Sequence, residues 1–415
     1  MSVKQWGCCV ALAGCVFVSA PHAGELTLSE AVSRTLARSP AVQAQGAAVD
    51  AARYRAELEG LAPPLTIGME LENVAGTGVL SGVDGAETTL RLGRVFELGE
   101  KRAARQSVGA MQVARQSGAG EQLRLQLAAD ATHRFIDVLS MQALLELAED
   151  ARDLAEANRQ EVARRVERNR SPATELDLAD LALMRAELGR EDAEHELASA
   201  RVALAVLWGE QGADFPRVAG KLFDLPDPGP FDVLAQRLPQ NAEQQAFLLE
   251  ARQIDARERL AQSARKPDLH ATLGVRRLEA LDDEALVLSF SMPLGSSARS
   301  AIAVGEQQAG RQELDARRSA AWLESYQHLF AQFEEMQHAR LEVTTLRERM
   351  IPLAEKSLAS TQAGYEQTRY SFLQVAQASA VLLALRRDAI DAAARCHQLL
   401  ADIDRATALP GDPQP

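Results

Sequence analysis

The chain has 415 residues, 58 acidic against 45 basic side chains for a net charge of −13, and only 4% aromatic residues. The acidic balance, with no basic patch interleaved with aromatics, argues against a nucleic-acid partner and is compatible with handling cations. Few large side chains beside abundant Ala, Leu, Arg and Glu argue against a deep globular core and for long helices in shallow, coiled-coil-like packing.

The N-terminus reads as an export signal: Lys4 supplies the positive region and Trp6 to Ala20 a short apolar run. Cleavage after Ala20 or Ala23 fits, with Pro21 unfavourable to both. Leu12-Ala13-Gly14-Cys15 equally resembles a lipoprotein processing box that would place a lipid on Cys15, although the apolar run continues through Val16, Phe17 and Val18. Three of the four cysteines (Cys8, Cys9 and Cys15) lie in this leader. Cys396 remains as a small core residue, and no disulfide framework or metal-type spacing is present. Beyond the leader no run approaches about 18 apolar residues, so no transmembrane helix is expected.

Leu26-Thr-Leu-Ser-Glu-Ala opens the first helix, with Thr27 or Ser29 as cap, Pro40 as a break and Pro63-Pro64 as the end. The period then changes from 3.6 to 2. Leu65, Ile67, Met69 and Leu71 alternate with polar residues or Gly. A connection bearing Gly76, Gly78, Gly82 and Gly85 leads to a partner strand from Glu87 to Leu98, whose apolar side is interrupted by Arg94. A Pro-free helix over 102–168 follows, roughly 100 Å long at 1.5 Å per residue. A shorter helix then runs from Pro172 to Trp208.

The same order then repeats. Pro267 ends a helix expected to match the length of the short ones. Leu269, Ala271, Leu273 and Val275 form one strand, and Leu286, Leu288, Phe290 and Met292 the next. A long helix over 299–367 carries Pro352 as a kink, and the last helix runs from Phe372 to Ala406. The expected layout is a signal peptide (1–23), a first repeat (24–209; hairpin 65–98, long helix 102–168), a linker or equatorial segment (210–229), a second repeat (230–407; hairpin 268–293, long helix 299–367) and a disordered tail (408–415). Each repeat is roughly 180 residues, far beyond a solenoid unit. Two short helices end to end match one long one, which predicts short helices stacked beside long ones.

Four strands of about 9–11 residues suit either half-buried soluble hairpins or bilayer-crossing strands. In the second case one chain cannot close a barrel, since known single-chain barrels start at about 8 strands. Three chains would pool twelve strands and twelve helical columns.

The residues also carry a resemblance. Leu26-Thr-Leu-Ser-Glu-Ala-Val resembles the opening of the TolC family of outer-membrane efflux channels. Glu70-Leu-Glu-Asn-Val-Ala-Gly-Thr-Gly, Leu80-Ser-Gly-Val-Asp-Gly-Ala-Glu-Thr-Thr-Leu and Phe96-Glu-Leu-Gly-Glu-Lys-Arg-Ala-Ala-Arg105 resemble its heavy-metal branch, which serves cobalt–zinc–cadmium exporters. The usual form has a second Gly where this chain has Glu100. The resemblance implies a mainly α fold with a small membrane β part. As a homotrimer it would form a 12-stranded β-barrel continuous with a 12-column α-helical barrel, held in outer-membrane lipid with the helices in the periplasm of a Gram-negative bacterium. It implies a periplasmic adaptor and an inner-membrane, proton-driven RND pump as partners.

It further implies that the helix tips, Asn169, Arg170 and Ser171 in the first repeat and Thr368 and Arg369 in the second, dock the adaptor and form the periplasmic mouth. Relatives place Gly where this chain has Asn169 and Thr368. Thr174 and Glu175 match a Thr–acid pair of the family's gate, and Tyr365 matches a gate tyrosine. The gate arginine falls on Tyr370 and two constriction aspartates fall on Gln374 and Gln377, all departures. Glu175 is then expected to supply the remaining ring charge, with Gln374 and Gln377 lining the pore.

No phosphate-binding loop, His-Glu-x-x-His or nucleophile elbow is present, so neither a reaction nor a cofactor is expected. Glu191–His195 and Glu334–His338 have helical i,i+4 spacing but read as solvated faces. The expected function is the exit duct of a tripartite system for divalent cations such as cobalt, zinc or cadmium. Competing readings are a TolC-like duct for organic compounds or a secreted protein, and a non-pore periplasmic adaptor or coiled-coil scaffold. The intact mass of the mature protein decides the leader: a chain starting at Pro21 or Gly24 marks ordinary cleavage, and a diacylglycerol-sized increment on Cys15 marks lipidation.

Overall fold

The computed structural model describes residues 24–409; the expected signal peptide, the lipidation of Cys15 and residues 410–415 of the expected tail lie outside it. Thr27 caps α1 (Leu28–Arg38) in a reciprocal capping box with Glu30. Ser39 and Pro40 separate it from α2 (Pro40–Glu59). The first hairpin is β1 (Thr66–Glu72) and β2 (Glu87–Phe96), and the long α3 (Lys101–Glu167) turns back into α4 (Ala173–Ala205). The second half has a short α5 (Phe231–Ala235), α6 (Ala242–Ser263), β3 (Leu269–Leu278), β4 (Asp283–Ser291), α7 (Ser296–Thr345), α8 (Ile351–Glu366) and α9 (Phe372–Thr407).

Three expectations are corrected. At 7 residues β1 is shorter than the 9–11 expected, because pairing with β2 ends at Glu72↔Glu87 where the Gly-rich connection begins. The helix before the second hairpin, α6, has 22 residues rather than matching α9, because Pro239 and the capping Asn241 delay its start. The second long helix runs unbroken from Ser296 to Glu366, but its irregularity is a π turn at Leu346–Met350 just before Pro352 rather than a kink at the proline itself, and the widened turn accommodates the missing N–H.

The helices form one layer whose main contacts run from α2 and α4, through α3, to α6 and α9, and on to α7 and α8. The short helices thus stack as columns beside the long ones. The repeats are not separate bodies. Ile136 and Leu144 of α3 pack with Val343 of α7 and Ile390 of α9, and β2 pairs with β3 along the sheet. Cores are shallow and Ala-rich. The largest cluster gathers Leu26, Phe135, Val138, Leu204, Trp208, Phe215 and Val218 at the equator. There the 210–229 segment is clamped rather than loose: the amide of buried Gln142 bonds both Val218 O (3.2 Å) and Val218 N (2.8 Å), standing in for a strand partner. Cys396 is buried as expected, and its thiol is pushed up from the usual range by desolvation. Among the described residues no helix is long and apolar enough to cross a membrane.

The sheet is a single antiparallel layer in the order β1-β2-β3-β4. Its register lines up the apolar residues: Ile67, Leu92, Leu273 and Leu288 form one cross-strand row, and Met69, Leu90, Val275 and Leu286 the next. All are exposed, Ile67 to 78%. The opposite face is polar. Arg276 on β3 bonds Thr89 (3.0 Å) and Glu87 (2.7 Å) on β2 and Glu72 (2.9 Å) on β1, while Arg91 pairs with Glu70. Arg94 does stand on the apolar face, with its guanidinium 5.2 Å from the Phe96 ring.

The motif running from Phe96 to Arg105 forms the junction between sheet and helices. Arg105 pairs with Glu97 and donates to Glu59 O (2.7 Å) and Leu61 O (3.1 Å), and Arg102 donates to Gly60 O (2.8 Å). These guanidinium groups satisfy the free carbonyls at the end of α2. Glu100 is left-handed at φ 61°, which explains why glycine suits that position. Truncating Leu204, fully buried in the equatorial cluster, should cost about 2–5 kcal/mol; the shift of the denaturation midpoint of Leu204→Ala measures it.

Candidate functional site

At the end of the layer far from the sheet, α3 meets α4 and α8 meets α9 in two matching tips. Both turn through a left-handed residue, Asn169 (φ 54°) and Thr368 (φ 61°). The same hydrogen-bond pattern closes them: Asn169 N to Val166 O and Arg170 N to Arg165 O, against Thr368 N to Tyr365 O and Arg369 N to Gly364 O. This is the glycine-favouring helix end, and a β-branched Thr there is strained. It is retained because its neighbours hold it.

The tips are joined by a polar cluster over an apolar floor of Val162, Ala179, Phe372 and Val375. The Tyr365 hydroxyl donates to Glu175 Oε2 at 3.0 Å and lies 3.3 Å from Ser171 Oγ. The other oxygen of Glu175 accepts from Phe372 N at 3.5 Å. Glu175 lies in the first turn of α4 and Phe372 begins α9, so one carboxylate serves two helix N-termini, where a negative charge is favoured. Burial, more than any partner, raises the Tyr365 phenol above its usual range; the bond to Glu175 adds to the shift and the bond from Ser171 opposes it.

The structure thus brings together Ser171, Glu175, Tyr365 and Thr368 from the sequence-derived set. Thr174, Asn169, Arg170 and Arg369 are exposed at the tips. The ring of Tyr370, half-exposed, lies over Gly364, where a Cβ would come within 2.2 Å of it. Gln374 is exposed but its Oε1 accepts from Ser371 N (3.0 Å) in a capping box, and Gln377 is exposed one turn on.

Arg165 is the member that sequence reasoning missed. Its guanidinium is buried among the tips and lies 4.4 Å from the Tyr365 ring centroid. The available signal was position: Arg165 follows buried Val162 by three residues and so shares its inner stripe. Among the described residues no group of three or more His, Cys, Asp or Glu side chains converges as a metal site would. The i,i+4 pair that does close is His328–Glu324, at 3.7 Å on an exposed face.

No protein-family model matches the chain. The sequence is 25% identical over 324 residues to the cobalt-zinc-cadmium resistance protein CzcC of Cupriavidus metallidurans, a span of 77% of this chain and 76% of that one. Among solved structures it is similar to the channel-forming protein CusC (TM-score 0.75, 15% identity, 92% of each chain). It is also similar to a membrane protein of Pseudomonas aeruginosa (0.76, 16%, 92% of this chain and 90% of that one). A third is the outer membrane protein VceC of Vibrio cholerae (0.71, 17%, 92% and 95%). The fold is therefore TolC-like, the architecture implied by the sequence resemblance.

Removing the Tyr365 hydroxyl should weaken the tips by about 0.5–1.5 kcal/mol, the net worth of a hydrogen bond. Hydrogen exchange of the Thr368, Arg369 and Tyr370 amides, faster in Tyr365→Phe than in the parent, checks this.

Proposed function

We propose that this TolC-like chain is the outer-membrane exit duct of a tripartite efflux system, passing divalent heavy-metal cations out of the cell. The observation that carries the reading is the sheet: four strands with an apolar face turned outward and two open edges. Hydrocarbon would favour that face, but unpaired edge groups in it cost several kcal/mol each. Three copies, each joining β4 to the next copy's β1, remove every edge and give twelve strands.

The helical layer supports the same assembly. Its flanks are α2 with α4 on the β1 side and α7 with α8 on the β4 side. Each flank carries exposed apolar residues: Leu178, Leu181, Met184 and Leu188 on α4, and Leu323, Leu341 and Leu353 on α7 and α8. A head-to-tail contact between unlike flanks generates a ring when its rotation closes. The barrel would hold the chain in outer-membrane lipid, with the polar face of the sheet lining the lumen and the helical layer projecting into the periplasm.

In this arrangement the duct does no chemistry. It supplies width, a polar lining and a mouth at the tips. Asn169, Arg170, Ser171, Thr368 and Arg369 would meet a periplasmic adaptor, and a proton-driven RND pump in the inner membrane would supply the cargo. Thr174, Glu175, Tyr365, Tyr370, Gln374 and Gln377 would surround the constriction, with Glu175 as its one acid. Similarity to a cobalt-zinc-cadmium resistance protein supports metal cations as cargo.

A deletion strain should lose tolerance to cobalt, zinc or cadmium and keep tolerance to organic toxicants; the opposite pattern favours the organic-compound duct. The purified protein should be a trimer that makes liposomes permeable, and a monomer or a sealed liposome overturns the channel. Glu175→Gln should lower the cation selectivity of single channels and their block by trivalent cations; unchanged values in both would remove Glu175 from the constriction.

A further inference from the structure

On the side where α5 packs, α7 carries a row of rings. Phe231 of α5 meets Tyr326, Phe330 and Phe333 with ring centroids 5.4–5.6 Å apart, and Tyr326 meets Trp322 at 6.0 Å. Aromatic residues make up only 4% of the chain, yet Trp322 and Tyr326 stand 39% and 41% exposed. Trp322 ends the row at a groove of about 460 Å³. Pro239 and Gln244 line it from the start of α6, and Asp315, Arg318 and Ser319 line it from α7.

Gln244 is the member that nothing else in the fold explains. Only 2% of its surface is exposed. Its backbone N–H donates to Asn241 Oδ1 (2.9 Å) and its Oε1 accepts from Arg318 Nε (3.0 Å), but its Nε2 has no partner. A buried amide donor left without an acceptor is costly, and in a groove it marks where a ligand's acceptor belongs. The other polar groups form a balanced set. Arg318 uses Nε on Gln244 and has two further N–H groups to offer. Ser319 Oγ donates to Asp315 O (2.9 Å) and can still accept. Asp315 Oδ1 lies 3.5 Å from Arg311 Nε, and Arg311 also pairs with Asp255 at 2.6 Å. Two acids therefore offset Arg311 and Arg318, and the groove selects neither a cation nor an anion. A purely apolar ligand would leave the same groups unpaired. What fits is a neutral molecule with an apolar face for the indole and a rim of groups that both donate and accept. A pyranose ring has this form, with C–H groups on its faces and hydroxyls around its edge.

We propose that this groove binds a neutral oligosaccharide. One sugar stacks on Trp322, a hydroxyl or acetamido oxygen accepts from Gln244 Nε2, and further hydroxyls meet Asp315 and Arg318. The site goes beyond the duct reading and does not rest on it. It lies beside the flank proposed to face the next copy: Leu323 at its edge belongs to that flank, whereas Trp322, about 100° away round the helix, turns toward Tyr326 and α5. Occupation would tether the helical layer to a saccharide chain without touching the tips.

The test uses the purified, assembled protein in a detergent without a sugar head group, titrated by calorimetry with chitotetraose and with maltotetraose. At least one should bind saturably; tighter chitotetraose assigns an acetamido sugar, tighter maltotetraose a plain glucose chain, and either supports the site. Trp322→Ala should raise Kd roughly fivefold, the factor for one stacked ring, and Trp322→Phe should raise it less. Asp315→Ala should raise Kd roughly tenfold, the factor for one hydrogen bond to a charged group. Both side chains are exposed, so neither change should disturb the fold. His328→Ala, exposed and about 240° round α7 from Trp322, should leave Kd unchanged. Failure of both sugars to bind the parent overturns the site, as does a Kd that neither Trp322→Ala nor Asp315→Ala changes. Binding of a proline-rich peptide in place of both sugars makes the groove a peptide site and overturns the saccharide. A trimer that never conducts refutes the duct, and the titration then judges the groove by itself.

Discussion

Two open strand edges bordering an exposed apolar face are the constraint on which the proposed assembly depends. β1 and β4 each leave one side of their ladders open, while the residues between them turn ten apolar side chains or more outward. A water-soluble protein with such a sheet would invite edge-to-edge aggregation. The closed ring of sheets proposed above would resolve both problems at once. The order of strands and the order of helical columns run in the same direction across the chain, so in the proposed ring one rotation that joins edge strands would also join helical flanks. The duplication in the sequence supplies that parallel order, and it also gives each chain two hairpins and two tips.

In the proposed ring neighbours would provide the closure, and the interior of a single chain would need little depth. Its clusters are built from Ala, Leu and Val with few rings, and several of the polar groups admitted between helices are paired across the seams. Along the seam between α3 and α6, buried Gln253 accepts from Arg115 (2.9 Å) and donates toward Gln112 (3.4 Å). Further along, Gln398 of α9 reaches Asp137 of α3 at 2.8 Å, and His133 meets Asp402 at 3.2 Å. The hydrogen bond His133 donates to Asp402 is the main cause of its raised affinity for protons. Such seams fix register between long helices that apolar contacts alone would let slide.

Much of the architecture was legible in the chain because it rests on local rules. The change of period at Leu65, the prolines at 40 and 63–64, the cap at Thr27 and the length of α3 each follow from short-range sterics and patterning. The tips were legible as turns and as likenesses to known gate positions, since Asn169 and Thr368 sit where a left-handed residue is required. What escaped was long-range and polar. Arg165 lies in a stretch rich in arginine and glutamate, where one buried guanidinium looks like its solvated neighbours. The bond from Phe372 N to Glu175 joins residues from different repeats, and no local pattern announces it. The late start of α6 escaped for another reason: similarity between repeats was read as equality of length.

The π turn at Leu346–Met350 has a consequence for how this family of shapes can change. The contact seam of the fourth column keeps a seven-residue spacing above the turn, from Met336 to Val343 and from Ala339 to Leu346, and again below it, from Leu358 to Tyr365. Between Leu346 and Ala354 the step is eight. The wide turn absorbs the odd residue, so both halves present the same side to α9. Excising that residue would let the turn relax to regular α geometry with Tyr365 still on the seam, whereas excising a residue elsewhere along the column would swing everything beyond it by about 100°. Evolution can therefore stretch or trim the column in whole heptads, and this bulge is the one place along it where a single residue can come or go without a change of phase.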